Sequence, residues 1–325
     1  MSLAPLPGQV SLPKQQISIL RDPIMRICLH LGPPCTGTKN LLDHLIINEG
    51  LLSEIGVALR VSQDHRNWLQ EAIGLNADMP LDREPDEDIL APLNLPEETG
   101  TLILCDPYFM GPLGRPYANL YWYGRVKPKI EAYYRAFSMH QTVCSIALSD
   151  PARLIPALYG ENLRTGNHLD FKTFLGKTTP EKLLWSELIE RLQLRDQYRS
   201  IITWNADEYA FIWRQVVAAM THLENPQFLE GRVPLKQEEP NVSQLEHFLK
   251  EIKPLKAKGD QIGQSHWDLF LGHLGQLNKL PGHPRWSKQI TTELSDIFDE
   301  DLYTIARMEQ VTLVERPDLF GYAKI

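Results

Sequence analysis

An apolar run that closes on glycine and proline and leads at once into an amphipathic helix limits this chain more than any other feature. Ile24–Leu31 is mostly apolar, interrupted by Arg26 and ending at His30-Leu31. A run of this kind suits a parallel strand buried on both faces. Gly32-Pro33-Pro34 stops it, and Thr38–Asn48 then carries Leu41, Leu42, Leu45 and Ile46 at helical spacing. A strand, small-residue turn and helix in this order aim several backbone N–H groups and the positive end of the helix at one point, which suits a phosphate. Gly37 permits close backbone approach, and Thr36 and Thr38 add hydroxyls. The Walker A pattern G-x-x-x-x-G-K-[ST] is not met, because Gly37 is followed by Thr38-Lys39, with the lysine one place late.

The rest of the chain alternates in the same way. Val57–Val61, Thr101–Cys105, Thr142–Leu148 and Ser200–Trp204 read as further strands, with Val311–Val314 as a last one. Helices are expected at His65–Ile73 (capped by Ser62), Pro128–Phe137, Pro151–Arg164, Glu181–Leu194 and Ala206–Met220. Three more are expected at Val242–Ile252, Trp267–Leu277 and Trp286–Met308. The fold class that follows is α/β, a mainly parallel sheet with helices on both faces and a helical C-terminal third. Residues 1–22, rich in Pro, Gln and Ser, predict an arm, and residues 23–325 a single domain. Pro80–Glu98 and Gln227–Pro240 read as loops.

Composition removes several function classes. With 325 residues and 43% hydrophobic content the chain can bury a large core. A net charge of -8 argues against nucleic acid as partner. No apolar run approaches the roughly 20 residues of a membrane helix. Met1–Gln16 has neither the charged start nor the apolar middle of a signal peptide, so a cytoplasmic location is expected. Cys28, Cys35, Cys105 and Cys144 form no C-x-x-C pair, and three of them sit in expected strands, so no disulfide framework is predicted. Cys35 has no arginine six places on, where Leu41 stands, which excludes a phosphatase-type loop. His266, His273 and His283 lack metal-ligand spacing. Tyr117, Tyr121, Trp122, Tyr123, Tyr133 and Tyr134 suit either an acceptor pocket or ordinary packing.

The segment His30-Leu31-Gly32-Pro33-Pro34-Cys35-Thr36-Gly37-Thr38 resembles the phosphosulfate loop of sulfotransferases, H-x-G-P-x-K-T-G-T-T in many bacterial members. Later segments resemble that family in the same order. They are Cys105-Asp106-Pro107, the strand and helix around Ser149 and Tyr159, Trp204 at a strand end, and the last helix Ile297–Met308. The resemblance spans about residues 24–314. It implies a P-loop nucleotide-binding fold, the donor 3'-phosphoadenosine-5'-phosphosulfate, and a hydroxyl acceptor on a glycan or small molecule. It places the donor on Gly32, Pro34, Cys35, Thr36, Gly37, Thr38, Lys39, Ser149 and Tyr159. His30, Lys39 and Asp106 are the candidates for proton transfer and charge stabilisation.

The departures fall on the chemistry. Cys35 stands where the family has the lysine that grips the sulfuryl group. Ser149 replaces the arginine for the 3'-phosphate, Ala157 its partner serine, and Pro107 the basic glutamate, with Asp106 one place earlier. Lys39, Arg153 and Arg164 are the cations left to compensate. Two readings remain: a sulfotransferase, or a degenerate relative that binds a nucleotide or glycan or serves as a scaffold.

Overall fold

The structure is a computed structural model and describes residues 24–61, 89–106, 109–110, 121–124, 126–194, 200–232 and 239–316. In chain order its elements begin β1 (Arg26–His30), α1 (Thr38–Ile47), α2 (Glu49–Glu54), β2 (Val57–Arg60), β3 (Thr101–Cys105), α3 (Val126–Ala136) and β4 (Gln141–Leu148). They continue α4 (Pro151–Arg164), α5 (Phe171–Leu175), α6 (Trp185–Leu192), β5 (Ile201–Asn205) and α7 (Tyr209–Thr221). The last are α8 (Val242–Ala257), α9 (Gln264–Gly272), α10 (Lys288–Ile305) and β6 (Val311–Val314). The expected arm, the helix at His65–Ile73, Pro107 and Tyr117 lie outside the described residues.

The strands form one parallel sheet in the order β2-β3-β1-β4-β5-β6. Alternate residues of each strand feed two separate cores. Ile27 and Leu29 of β1, with Leu102 and Leu104 of β3, pack into the core shared with α3, α4, α6 and α8. Cys28, Ile103 and Cys105 face the other way, onto Leu41 and Leu45 of α1 and Ile212 and Val216 of α7. Both faces are therefore covered, which is why the strands read as continuous apolar runs.

Several helix boundaries differ from the sequence expectation, each for a local reason. The stretch Glu181–Leu194 splits into a 3-10 turn at Pro180–Lys182 and α6. The Asp301 carboxylate of α10 caps α6, accepting from the N–H of Trp185 at 2.6 Å and of Ser186 at 3.2 Å. Helix α8 starts on a capping box between Asn241 and Gln244 and runs past Ile252 to Ala257. Helix α9 starts earlier than expected, at Gln264, and a 3-10 stretch at Leu274–Lys279 follows it. No helix among the described residues is long and apolar enough to cross a membrane.

Two tethers hold the face that carries α1. The chain at Leu229–Arg232 is clamped: His44 Nε2 lies 2.9 Å from the Arg232 carbonyl, and Asn48 exchanges hydrogen bonds of 2.7 and 2.8 Å with the Glu230 backbone. Arg26, in the strand, buries its guanidinium against the last carbonyls of α7, bonding those of Met220 and Ala219. A cation suits the negative end of a helix. Replacing it leaves those carbonyls without their charged donor. Arg26→Met is expected to lower stability by about 1.5–3 kcal/mol, read from urea unfolding, with the midpoint shifting at constant slope.

Candidate functional site

Strand β1 is internal, with β3 on one side and β4 on the other. The chain leaves β1 toward β2 and leaves β4 toward β5, in opposite directions across the sheet. Ligand crevices of open α/β sheets form at this kind of reversal, beyond the carboxyl ends of the strands. The register pairs His30 with Ser145, and the Leu31 N–H donates to the Ser145 carbonyl at 2.9 Å. The turn Gly32–Gly37 and the β4 end at Ser149-Asp150 thus emerge on the same edge, from neighbouring strands.

The turn is built from left-handed backbone. Gly32 and Gly37 both have φ of 84°, and Cys35 has φ of 64°, between a cis Gly32-Pro33 bond and α1. Cysteine, unlike glycine, is strained there by roughly 1–2 kcal/mol. Gly37 is the N-cap of α1, with no side-chain cap. The first-turn N–H groups of α1 therefore remain open to an anion. Pro34, Thr36 and Thr38 are buried and Lys39 is exposed.

The loop side chains serve the loop itself. Thr36 donates its hydroxyl to the Pro33 carbonyl at 2.7 Å. Thr38 Oγ1 sits 3.4 Å from His30 Nε2. His30 places Nδ1 3.1 Å from Ser145 Oγ and stacks on Trp204, with ring centroids 5.7 Å apart. Burial lowers its pKa to about 3. With both nitrogens engaged inside the protein, His30 is a neutral brace joining β1, β4, β5 and α1. Lys39 lies on the side of α1 away from buried Leu41 and Leu45, facing solvent rather than the core.

The second binding segment is also partly committed. Ser149 is buried, and its carbonyl accepts from Trp185 Nε1 at 2.9 Å. Asp150 caps α4 through Ala152 N–H at 2.7 Å. Tyr159 is wholly buried against Phe171 and Phe174 and donates its hydroxyl toward Leu169 O at 3.1 Å and Glu246 Oε1 at 3.0 Å. The structure thus places Tyr159, expected among the nucleotide contacts, in the core. Arg153 pairs with Asp207 at 2.6 Å.

Other groups stand closer to the loop than sequence reasoning had them. Cys35 is exposed to solvent, yet protein crowds it on most sides. That desolvation, with Glu161 and Glu239, pushes its thiol up to about 12, while Arg164 opposes. Arg164 is held by the Glu161 carboxylate through two hydrogen bonds. On the other side Asp106 is buried, its N–H bonded to the His30 carbonyl at 3.2 Å. The half-buried Lys129 of α3 faces it: burial lowers the ammonium pKa and Asp106 raises it. The first turn of α3 holds Lys127 and Lys129 and no acid, against the preference of the helix dipole. Of the aromatic group that suited either a pocket or ordinary packing, Trp122 stacks on Trp185, Tyr123, Tyr133 and Tyr134 are buried in the core, and Tyr121 is half-exposed.

No protein-family model matches the sequence, and no curated protein is significantly similar to it. Among the described residues no group of histidines, cysteines or carboxylates could hold a metal ion.

Two measurements test this geometry. The His30 pKa of about 3 lies below the ordinary 6.5 of the unfolded chain. Between those values the unfolded state binds the extra proton, so stability is complete above pH 6.5 and falls as pH drops toward 3. The slope is up to about 1.4 kcal/mol per pH unit, and His30→Gln is expected to flatten it in urea titrations across this window. The exposed Cys35 is the thiol that iodoacetamide reaches among the four, since Cys28, Cys105 and Cys144 are buried. With so high a pKa its alkylation should rise about tenfold per pH unit from pH 8 to pH 11. A rate that levels off near pH 9 would contradict this crowding, and Glu161→Gln should speed the reaction.

Proposed function

We propose that this chain is a sulfotransferase-type protein of P-loop fold. It holds the phosphosulfate end of 3'-phosphoadenosine-5'-phosphosulfate on Gly32–Thr38 and passes the sulfuryl group to a hydroxyl of a glycan or small molecule. The observation that carries the reading is the uncapped start of α1, opened by three left-handed residues at the reversal point between β1 and β4. Backbone donors of this kind bind phosphate whatever side chain stands at residue 35. The ordered resemblance of the segments from His30 to Trp204 narrows a phosphate site to this donor.

In such a transfer the acceptor oxygen forms a bond to sulfur as the bond from sulfur to the bridging phosphate oxygen breaks. The acceptor proton goes to a base, and negative charge grows on the phosphate. Lys129 is the cation that supports this reading on the β3 side of the loop, in place of the lysine absent at Cys35. Asp106 is the carboxylate beside the start of the loop that suits the base. Arg164 approaches from α4.

A specific observation favours the second reading, a relative that binds without transferring. Glu161 and Glu239 both face Cys35, adding negative charge where the family has a positive one. The two readings part in one set of experiments. Calorimetric titration with 3'-phosphoadenosine-5'-phosphate is expected to give binding with little preference over the nucleotide lacking the 3'-phosphate, because Ser149 is neutral. Ser149→Arg with Ala157→Ser should restore the preference roughly tenfold to a hundredfold. Radiolabelled sulfuryl transfer to a panel of hydroxyl acceptors, lost about a hundredfold in Lys129→Met, would establish the enzyme. Binding without transfer leaves the second reading, and absence of binding by either nucleotide defeats both.

A further inference from the structure

Among the described residues, β2 ends the sheet, with β3 on one side and no strand on the other. The pairing with β3 settles which backbone groups of β2 face the open side. The Gly56 carbonyl accepts from the Thr101 N–H of β3 at 3.1 Å. Backbone groups alternate in direction along a strand, so Ala58 and Arg60 also turn toward β3, and Val57 and Leu59 turn their N–H and C=O outward. The Arg60 side chain agrees with this parity, since it donates to the outward Leu59 carbonyl at 2.9 Å. The N–H and C=O of Val57 and the N–H of Leu59 are left without a partner among the described residues, although these two residues are only 5% and 7% exposed. Backbone groups so nearly buried are normally paired, and an unpaired strand edge is a template for another strand.

This edge lies along a groove of about 600 Å³. Gly56–Arg60 form one wall and Asn94 with Pro96–Thr99 the other, and Glu49 and Ser53 of α2 complete the lining. The protein holds the walls together at both ends. Gly56, with φ of 74°, brings the Glu98 carbonyl so close that a Cβ would stand 2.7 Å from it, and the Gly100 N–H donates to the Gly56 carbonyl at 2.9 Å. At the other end Arg60 donates to the Leu93 carbonyl at 2.9 Å. An occupant therefore has little of the groove to reorder.

Charge decides what the groove admits. Glu49, Glu97 and Glu98 line it against one cation, Arg60, whose guanidinium is already engaged by the carbonyls of Leu59, Leu93 and Asn94. A second copy of this chain would bring the same three carboxylates to an edge-to-edge pairing, and like charges facing one another across strands oppose it. An extended segment carrying lysine or arginine meets opposite charge and an open backbone edge together.

We propose that the β2 edge is a docking site for an extended, lysine- or arginine-rich segment of a partner protein, which adds beside β2 as a further strand. Its backbone pairs with Val57 and Leu59, and its basic side chains meet Glu49, Glu97 and Glu98. β2 is four residues long, so the contact spans about 13 Å at roughly 3.3 Å per residue. The proposal is independent of what Gly32–Thr38 holds.

The test titrates the full chain into a fluorescently labelled, end-capped peptide of alternating lysine and valine and follows its anisotropy. The same peptide is prepared with glutamate for lysine, and with N-methyl groups on one or the other alternate set of amides. Saturable binding of the lysine peptide is expected, weakening as salt rises from about 0.05 to about 0.5 M. The glutamate peptide, and the lysine peptide with the Glu97→Lys, Glu98→Lys variant, should each bind at least about tenfold more weakly. Glu97 and Glu98 are exposed, so this variant should melt near the parent temperature. One of the two N-methylated peptides should bind about tenfold more weakly than the other, because only one set of amides faces β2. No binding of the lysine peptide, or equal binding of the two N-methylated forms, would overturn the proposal. So would a micromolar dimer in analytical ultracentrifugation that excludes the peptide, which would give the edge to a second copy of this chain.

Discussion

The pairing of β1 with β4 sets the position of everything near the loop. His30 opposite Ser145 is one rung of that ladder, and the imidazole reinforces it sideways by reaching Thr38 and stacking on Trp204. The loop leaves β1 one residue later, so its first glycine cannot drift relative to β4. This explains what a buried histidine contributes at the spot. It has two nitrogens and a flat face, and all three are engaged.

The electrostatics around the loop differ in kind from a simple anion hole. Positive charge comes from the flanks, Lys129 beside Asp106 and Arg164 clasped by Glu161, while the floor holds a neutral thiol. Each cation has a carboxylate close by, so each arrives partly neutralised. On the proposed reading, a phosphorylated ligand would gain most of its binding from oriented backbone N–H groups, which are indifferent to salt bridges at the rim.

How much of this was legible beforehand depends on the kind of information each feature needs. The strand ends, α1 and α4 were readable from local pattern, because a buried apolar run and its stop signal lie within a few residues. The cap of α6 was not, since it comes from Asp301, more than a hundred residues away. Cys35, Gly32 and Thr38 were recognisable as one loop by their adjacency. Lys129 was hidden, because nothing in its neighbourhood announces that it lies within electrostatic reach of Asp106. Tyr159 went the same way: the resemblance made it a nucleotide contact, and Glu246 and Phe171, brought in by α8 and α5, show that the ring sits in the core.

The clamp of His44 and Asn48 on the Glu230–Arg232 backbone has a kinetic meaning. It ties the far half of α1 to the segment that follows α7, so the helix cannot tilt as a unit when its first turn gains or loses charge. A ligand arriving at the loop meets donors already in place and has little chain to reorder. If the loop binds as proposed, variants along this clamp would alter how long a ligand stays more than how fast it comes.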